Sequence, residues 1–201
     1  MTEFIPQLIS ALLQLMLFLI IPVVWWIITD RKTNFFQWIG IKKTVFNGCI
    51  FKPLSIILVV LSLYVIAMYF IMGSLLGETQ TATSQFAGKG IRVLPSVLVY
   101  AIVQTSLSEE LFFRGFLCKR LTNRFGFFTG NLLQSISFGL LHGIPFGLAT
   151  GNWFVCILLT LLPASMGYVQ GWLNEKAANG SIIPSWILHG LMNFLSVISS
   201  L

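Results

Sequence analysis

The sequence predicts an all-α membrane protein, and three observations lead to this prediction. Of its 201 residues, 56% are hydrophobic and 9% are charged, whereas about a quarter of the residues in soluble domains are charged. The mean hydropathy of +0.88 is likewise outside the soluble range. The apolar residues fall in runs of about 20, the length at which a helix crosses a bilayer. We therefore predict one integral membrane domain over residues 1–201, with about six transmembrane helices.

The first predicted span is followed by the charged run Asp30-Arg31-Lys32, and the later spans are separated by polar or basic segments. Pro22 and Pro163 are expected to kink the first and fifth spans. Pro145 is expected to end or bend the fourth span, which contains at least residues 129–142. The other five predicted spans cover residues 5–29, 53–72, 95–118, 153–172 and 182–201.

Two connecting segments have distinct compositions. Residues 33–49 mix Phe and Trp side chains with Lys42 and Lys43, which predicts a short helix lying in the membrane interface. Residues 73–90 are polar, rich in turn-forming residues and without periodicity, which predicts a loop.

The basic residues predict the orientation in the membrane. The loops after the first, third and fifth spans hold most of the Lys and Arg residues, whereas the opposite side holds only Lys89 and Arg92. Basic loops stay in the cytoplasm, so both termini are predicted to lie outside a cell membrane that the chain crosses several times. The membrane rule also accounts for the net charge of +6, so we predict no nucleic-acid partner. The composition suggests a bacterial source.

Two carboxylates and an arginine interrupt the third span. Glu109, Glu110 and Arg114 fall within six residues, although one charged side chain at the bilayer centre costs about 2.5 to 3.5 kcal/mol on insertion scales. Glu110 and Arg114 are four residues apart, so they can pair along the helix. Glu109 points elsewhere and is expected to share a polar cavity with residues from other spans.

The candidates for that cavity come from the fourth and sixth spans. His142 and His189 are the only histidines of the chain, and Asn193 lies four residues after His189. A carboxylate beside imidazoles suits a general base, and imidazole or amide donors can stabilise an oxyanion. The alternative is a structural network, since polar side chains also hold membrane helices together.

The same residues form three ordered motifs. Glu109-Glu110-Leu-Phe-Phe-Arg114 fits EExxxR, Phe138-Gly-Leu-Leu-His142 fits FxxxH, and His189-Gly-Leu-Met-Asn193 fits HxxxN. In this order they resemble the motifs of the CAAX-protease and bacteriocin-processing (CPBP, or Abi) family of intramembrane endopeptidases. The resemblance covers about residues 93–201.

The resemblance implies an enzyme that hydrolyses a peptide or a membrane-associated protein near the cytoplasmic face. Glu109 would activate water with help from His142, and His189 with Asn193 would form the oxyanion site. Glu110 and Arg114 would support this geometry. Two other functions implied by the family are self-immunity to a bacteriocin and a non-catalytic scaffold or regulator.

The sequence leaves open whether a divalent metal binds at this site. Glu109, His142 and His189 are the candidate ligands, and the family is often described as metalloproteases. The chain has no HExxH pair at ligand spacing on one helix, and a glutamate-activated water explains the same residues without a metal. If His142 lies at the depth of Glu109, residues 123–130 must form a loop rather than a helix.

Overall fold

The structure is a computed structural model that describes residues 3–49, 51–71, 81–198 and 201. These residues contain helices and no β-strand. The seven main helices are α1 Phe4–Thr29, α2 Phe35–Ile39, α3 Phe51–Ile71, α4 Ile91–Phe125, α5 Phe127–Thr150, α6 Trp153–Ala177 and α7 Ile183–Ile198. Among the described residues, α1, α4, α5 and α6 are long and apolar enough to cross a membrane. The predicted all-α membrane fold is therefore confirmed.

A short helix, α2, is observed within residues 33–49 as predicted, and its position in the membrane interface stays a prediction. The Asn34 side chain caps its first turn by accepting a hydrogen bond from the backbone N–H of Gln37 at 3.2 Å. Gly40 ends it with a φ of 98°, a conformation that glycine adopts without a steric penalty. Of the predicted loop 73–90, residues 73–80 lie outside the described residues. The remainder holds one 3₁₀ turn, Ser84–Phe86.

The predicted loop at residues 123–130 is wrong. Helix α4 continues to Phe125, and α5 begins at Phe127. Gly126 alone separates them, because its φ of 80° lets a single residue redirect the chain. Pro145 does not end α5 either, since that helix runs on to Thr150.

The chain divides into two compact units. The first unit comprises Met1–Thr44, Gln80–Phe116 and Ser181–Leu201, and the second comprises Val45–Thr79 and Leu117–Gly180. A single membrane domain over residues 1–201 and the orientation of the termini stay predictions. One apolar cluster of the first unit consists of buried side chains: Phe86, Val93, Val97, Tyr100, Ala101 and Val197.

In the second unit, a stripe of glycines brings α5 close to α6. Gly139, Gly143 and Gly147 recur every four residues on one face of α5. A Cβ atom at Gly143 would collide with Thr160, and one at Gly147 would lie 2.5 Å from the Cβ of Cys156. Small residues at this spacing let the backbones of membrane helices approach closely. This contact holds the helix that carries Phe138 and His142.

Candidate active site

The first unit carries the site on two helices, α4 and α7, and α4 is widened on both sides of the Glu pair. Val99–Leu107 and Glu110–Cys118 are π-helical, with backbone hydrogen bonds that close i→i+5 turns. The hydroxyls of Thr105 and Ser106 donate to carbonyls five residues earlier, at 3.0 and 2.5 Å. Such π-helical turns occur frequently at functional sites.

Glu110 is completely buried, and its two carboxylate oxygens are both engaged. Oε1 lies 3.2 Å from Nη1 of Arg114, which is also fully buried, and 3.0 Å from Nδ1 of His189. Oε2 accepts a hydrogen bond of 2.5 Å from the hydroxyl of Ser185. The ion pair predicted from the four-residue spacing is thus present. Glu110 holds α7 to α4, and both of its oxygens are taken up in doing so.

Glu109, the adjacent residue, is in a different environment. Its Oε2 atom is buried, and no described residue forms a hydrogen bond with it. Nε2 of His189 lies 3.6 Å from Oε2, which is too long for a direct hydrogen bond. A buried acceptor without a partner costs about 1 to 3 kcal/mol. Of the two neighbouring carboxylates, Glu109 is therefore the one whose oxygen is available to a bound water or substrate.

His189 lies between the two carboxylates. Its Nδ1–H donates to Glu110, which fixes the orientation of the ring and directs Nε2 toward Glu109. The side chain is 9% exposed. The helix α7 places Ser185, His189 and Asn193 on one face because they are spaced every four residues.

Asn193 joins α7 to the widened part of α4. Its side-chain amide donates to the hydroxyls of Thr105, at 2.8 Å, and Ser106, at 3.1 Å. Both hydroxyls donate in turn to backbone carbonyls of α4. The two amide hydrogens of Asn193 are therefore occupied in this state.

Phe138 and His142 lie on α5, in the second unit. Nδ1 of His142 lies 2.9 Å from the carbonyl oxygen of Phe138, and the two rings are 4.5 Å apart between centroids. This contact orients the imidazole on its own helix and leaves its Nε2 as the nitrogen that can act on another group. A joint role with Glu109 stays a prediction.

Three site residues were not predicted from the sequence, namely Ser185, Thr105 and Ser106. A signal for Ser185 was present, because the four-residue spacing of His189 and Asn193 extends one turn back to it. The two hydroxyls precede the Glu pair in the run Thr105-Ser106-Leu107-Ser108. Their contact with Asn193 depends on how α4 and α7 pack, which the sequence alone does not reveal.

The side chains at the site offer few donors for a metal ion. Within the described parts of the chain, no three His, Cys, Asp or Glu side chains are grouped closely enough to hold one. Glu110 is engaged by Arg114, His189 and Ser185. Glu109 and His189 offer two donors, whereas a catalytic zinc site takes three protein ligands. Glu109 and His189 of the first unit therefore do not by themselves fit a zinc site.

One comparison with known proteins gave a match. The family model described as type II CAAX prenyl endopeptidase Rce1-like matches residues 91–195, just over half of the chain. Searches of curated proteins and of solved structures found no match. The matched interval contains all of the motif residues from Glu109 to Asn193.

Proposed function

The chain belongs to the Rce1-like family of type II CAAX prenyl endopeptidases, and we propose that it hydrolyses a peptide bond of its substrate near the cytoplasmic face. In this proposal Glu109 is the general base. The substrate would be a peptide or a membrane-associated protein, such as a pheromone, leader peptide or bacteriocin precursor. One observation carries the proposal: two adjacent carboxylates lie in opposite environments. Glu110 is saturated by three side chains, whereas Oε2 of Glu109 is buried with no hydrogen-bond partner among the described residues.

In the proposed reaction, Glu109 accepts a proton from water while the water oxygen attacks the carbonyl carbon of the substrate. A new C–O bond forms, and the carbonyl oxygen becomes an oxyanion. The C–N bond then breaks, and the proton held by Glu109 passes to the leaving nitrogen. The products are a carboxylic acid and an amine, so water is the only reagent consumed.

His189 and Asn193 are the proposed donors to the oxyanion. Nε2 of His189 is directed toward Glu109 and hence toward the place where the water would be activated. Asn193 can contribute only by exchanging a hydrogen bond, because its amide is bound to Thr105 and Ser106. Substrate binding would therefore release one of these hydroxyls.

The proposed function is tested by incubating the purified protein with membrane-associated peptides in isotopically labelled water. We expect new peptide fragments whose new carboxyl terminus contains one labelled oxygen, detected by mass spectrometry. The Glu109→Gln variant, which keeps the shape of the site, should bind the same peptides without cutting them and so identify the substrate. Fragments without the label, or no fragments from any bound peptide, would contradict the proposal.

We expect His142→Ala to lower the cleavage rate about 10²- to 10⁴-fold, the usual contribution of one acid–base group. His142 bonds only to its own helix among the contacts seen in the second unit, so thermal unfolding should change little. The measurement is the single-turnover rate with a labelled peptide. A rate equal to that of the wild type would remove His142 from the mechanism.

Ser185→Ala should weaken the support of Glu110. The hydroxyl donates to a fully buried carboxylate, and hydrogen bonds to charged groups contribute about 1.5 to 3 kcal/mol. We expect the free energy of unfolding to fall by this amount, and kcat to fall with little change in KM.

Ser165→Ala is the matched control for this variant. Like Ser185, Ser165 contacts the carbonyl three residues earlier, at 2.7 Å, but it is exposed and forms no hydrogen bond with a carboxylate among the described residues. It should leave both stability and kcat unchanged. Equal effects of the two substitutions would show that Ser185 acts only on its own helix.

A further inference from the structure

The segment Asn34–Thr44, called here the interfacial segment, has two different sides. It follows α1, a helix that is long and apolar enough to cross a membrane and that ends at Thr29. On its outer side, Phe36 is 59% exposed, and Lys42 and Lys43 are also exposed. The outer side therefore combines an exposed apolar ring with two exposed cations.

The inner side of the interfacial segment packs against α4 beside the buried ion pair. Ile39 is completely buried, and a Cβ atom added to Gly115 would lie only 2.5 Å from the Ile39 carbonyl oxygen. Gly115 directly follows Arg114 in the chain. The ring of Trp38 contacts that of Phe116 with 6.1 Å between centroids. A shift of the interfacial segment would therefore also displace α4, the helix that carries Glu109 and Glu110.

The carboxyl-terminal half of the segment is bonded to the start of α7. The backbone N–H of Ile182 donates to the carbonyl of Gly40 at 3.0 Å. The hydroxyl of Ser181 donates to the carbonyl of Lys42 at 2.9 Å. These bonds lie just before Ser185, one turn from the contact with Glu110. Both helices of the site are therefore joined to the same surface segment.

We propose that the outer side of the interfacial segment binds the phosphates of anionic lipids, and that this binding holds α4 and α7 in the arrangement seen at the site. Charge complementarity selects the occupant. Arg31 and Lys32 are exposed just before the segment, so four cations lie in this short stretch, with Asp30 as its one acidic residue. Juxtamembrane cations bind anionic lipid surfaces, and the exposed ring of Phe36 can enter the acyl boundary beside them.

The effect on catalysis rests on the function proposed above, whereas the effect on the structure does not. The test therefore uses two readouts on the full-length protein in vesicles of phosphatidylcholine, with or without phosphatidylglycerol. One readout is hydrogen exchange at the amide of Ile182, which is bonded to Gly40. The other is the cleavage rate. The test variant is Lys42→Gln with Lys43→Gln, and the control with the same change in charge is Lys89→Gln with Arg92→Gln.

For the wild type and the control variant, phosphatidylglycerol should slow exchange at Ile182 and raise the cleavage rate. Removing two cations should weaken the affinity for anionic lipid by about fivefold per cation. In the Lys42 and Lys43 variant, phosphatidylglycerol should therefore change exchange and cleavage little. A full response in that variant would overturn the proposal. If exchange responds as expected but no protein cleaves any peptide, the proposed function fails and the lipid site stands. If cleavage occurs but neither exchange at Ile182 nor the cleavage rate responds to lipid charge, the lipid site fails.

Discussion

Replacing Glu109 with Gln is expected to abolish peptide cleavage while leaving the fold intact. The amide keeps the size of the side chain but cannot accept a proton from water, and losing a general base costs about 10²- to 10⁴-fold in rate. No described residue forms a hydrogen bond with Oε2 of Glu109, and the contact with His189 is 3.6 Å. The substitution therefore breaks little that supports the structure. Single-turnover cleavage and thermal unfolding of the same preparation measure the two effects.

Glu110→Gln makes the same chemical change one residue further along the chain and is the matched control. Glu110 forms an ion pair with Arg114 and accepts hydrogen bonds from His189 and Ser185. This variant should therefore lose stability together with activity. Glu109→Gln should lose activity alone. If Glu109→Gln cleaves at the wild-type rate, Glu109 is not the base, and the polar residues would act as a structural network between helices.

The ion pair at the centre of the site could be predicted from sequence because it depends on one helix only. A spacing of four residues brings Glu110 and Arg114 together whatever the rest of the chain does. Four of the six predicted membrane spans, which correspond to α1, α4, α5 and α6, were predictable for a similar reason, since length and hydropathy alone decide which segments can cross a bilayer. Nε2 of His189 lies 3.6 Å from Glu109, and the cavity that these residues are expected to share with His142 and Asn193 stays a prediction.

The contacts that depend on packing between helices could not be predicted in this way. Asn193 was expected to face the oxyanion, yet its amide is bound to Thr105 and Ser106 on a π-helical stretch of α4. An argument from regular α-helical spacing does not anticipate that widening. The loop predicted at residues 123–130 failed because Gly126 makes the turn alone. The sequence also gives no measure of how closely the interfacial segment approaches Gly115.

Removing the positive partner of Glu110 should produce the largest loss of stability. Arg114 and Glu110 are both completely buried, with Nη1 and Oε1 3.2 Å apart. Arg114→Met leaves a buried carboxylate without its charge partner, and breaking a buried ion pair from one side costs about 3 to 5 kcal/mol. We expect a fall of this size in the free energy of unfolding, measured by reversible denaturation in bilayer-like micelles.

The double variant Glu110→Gln with Arg114→Met shows whether this loss comes from the unpaired charge. With both charges gone, no buried ion lacks its partner, and replacing both members of a buried pair can be nearly neutral. The double variant should therefore be more stable than Arg114→Met alone, although Ser185 and His189 would then face an amide instead of a carboxylate. If the double variant is as unstable as the single one, Arg114 contributes through packing rather than through charge. In that case Glu110 would be held mainly by α7.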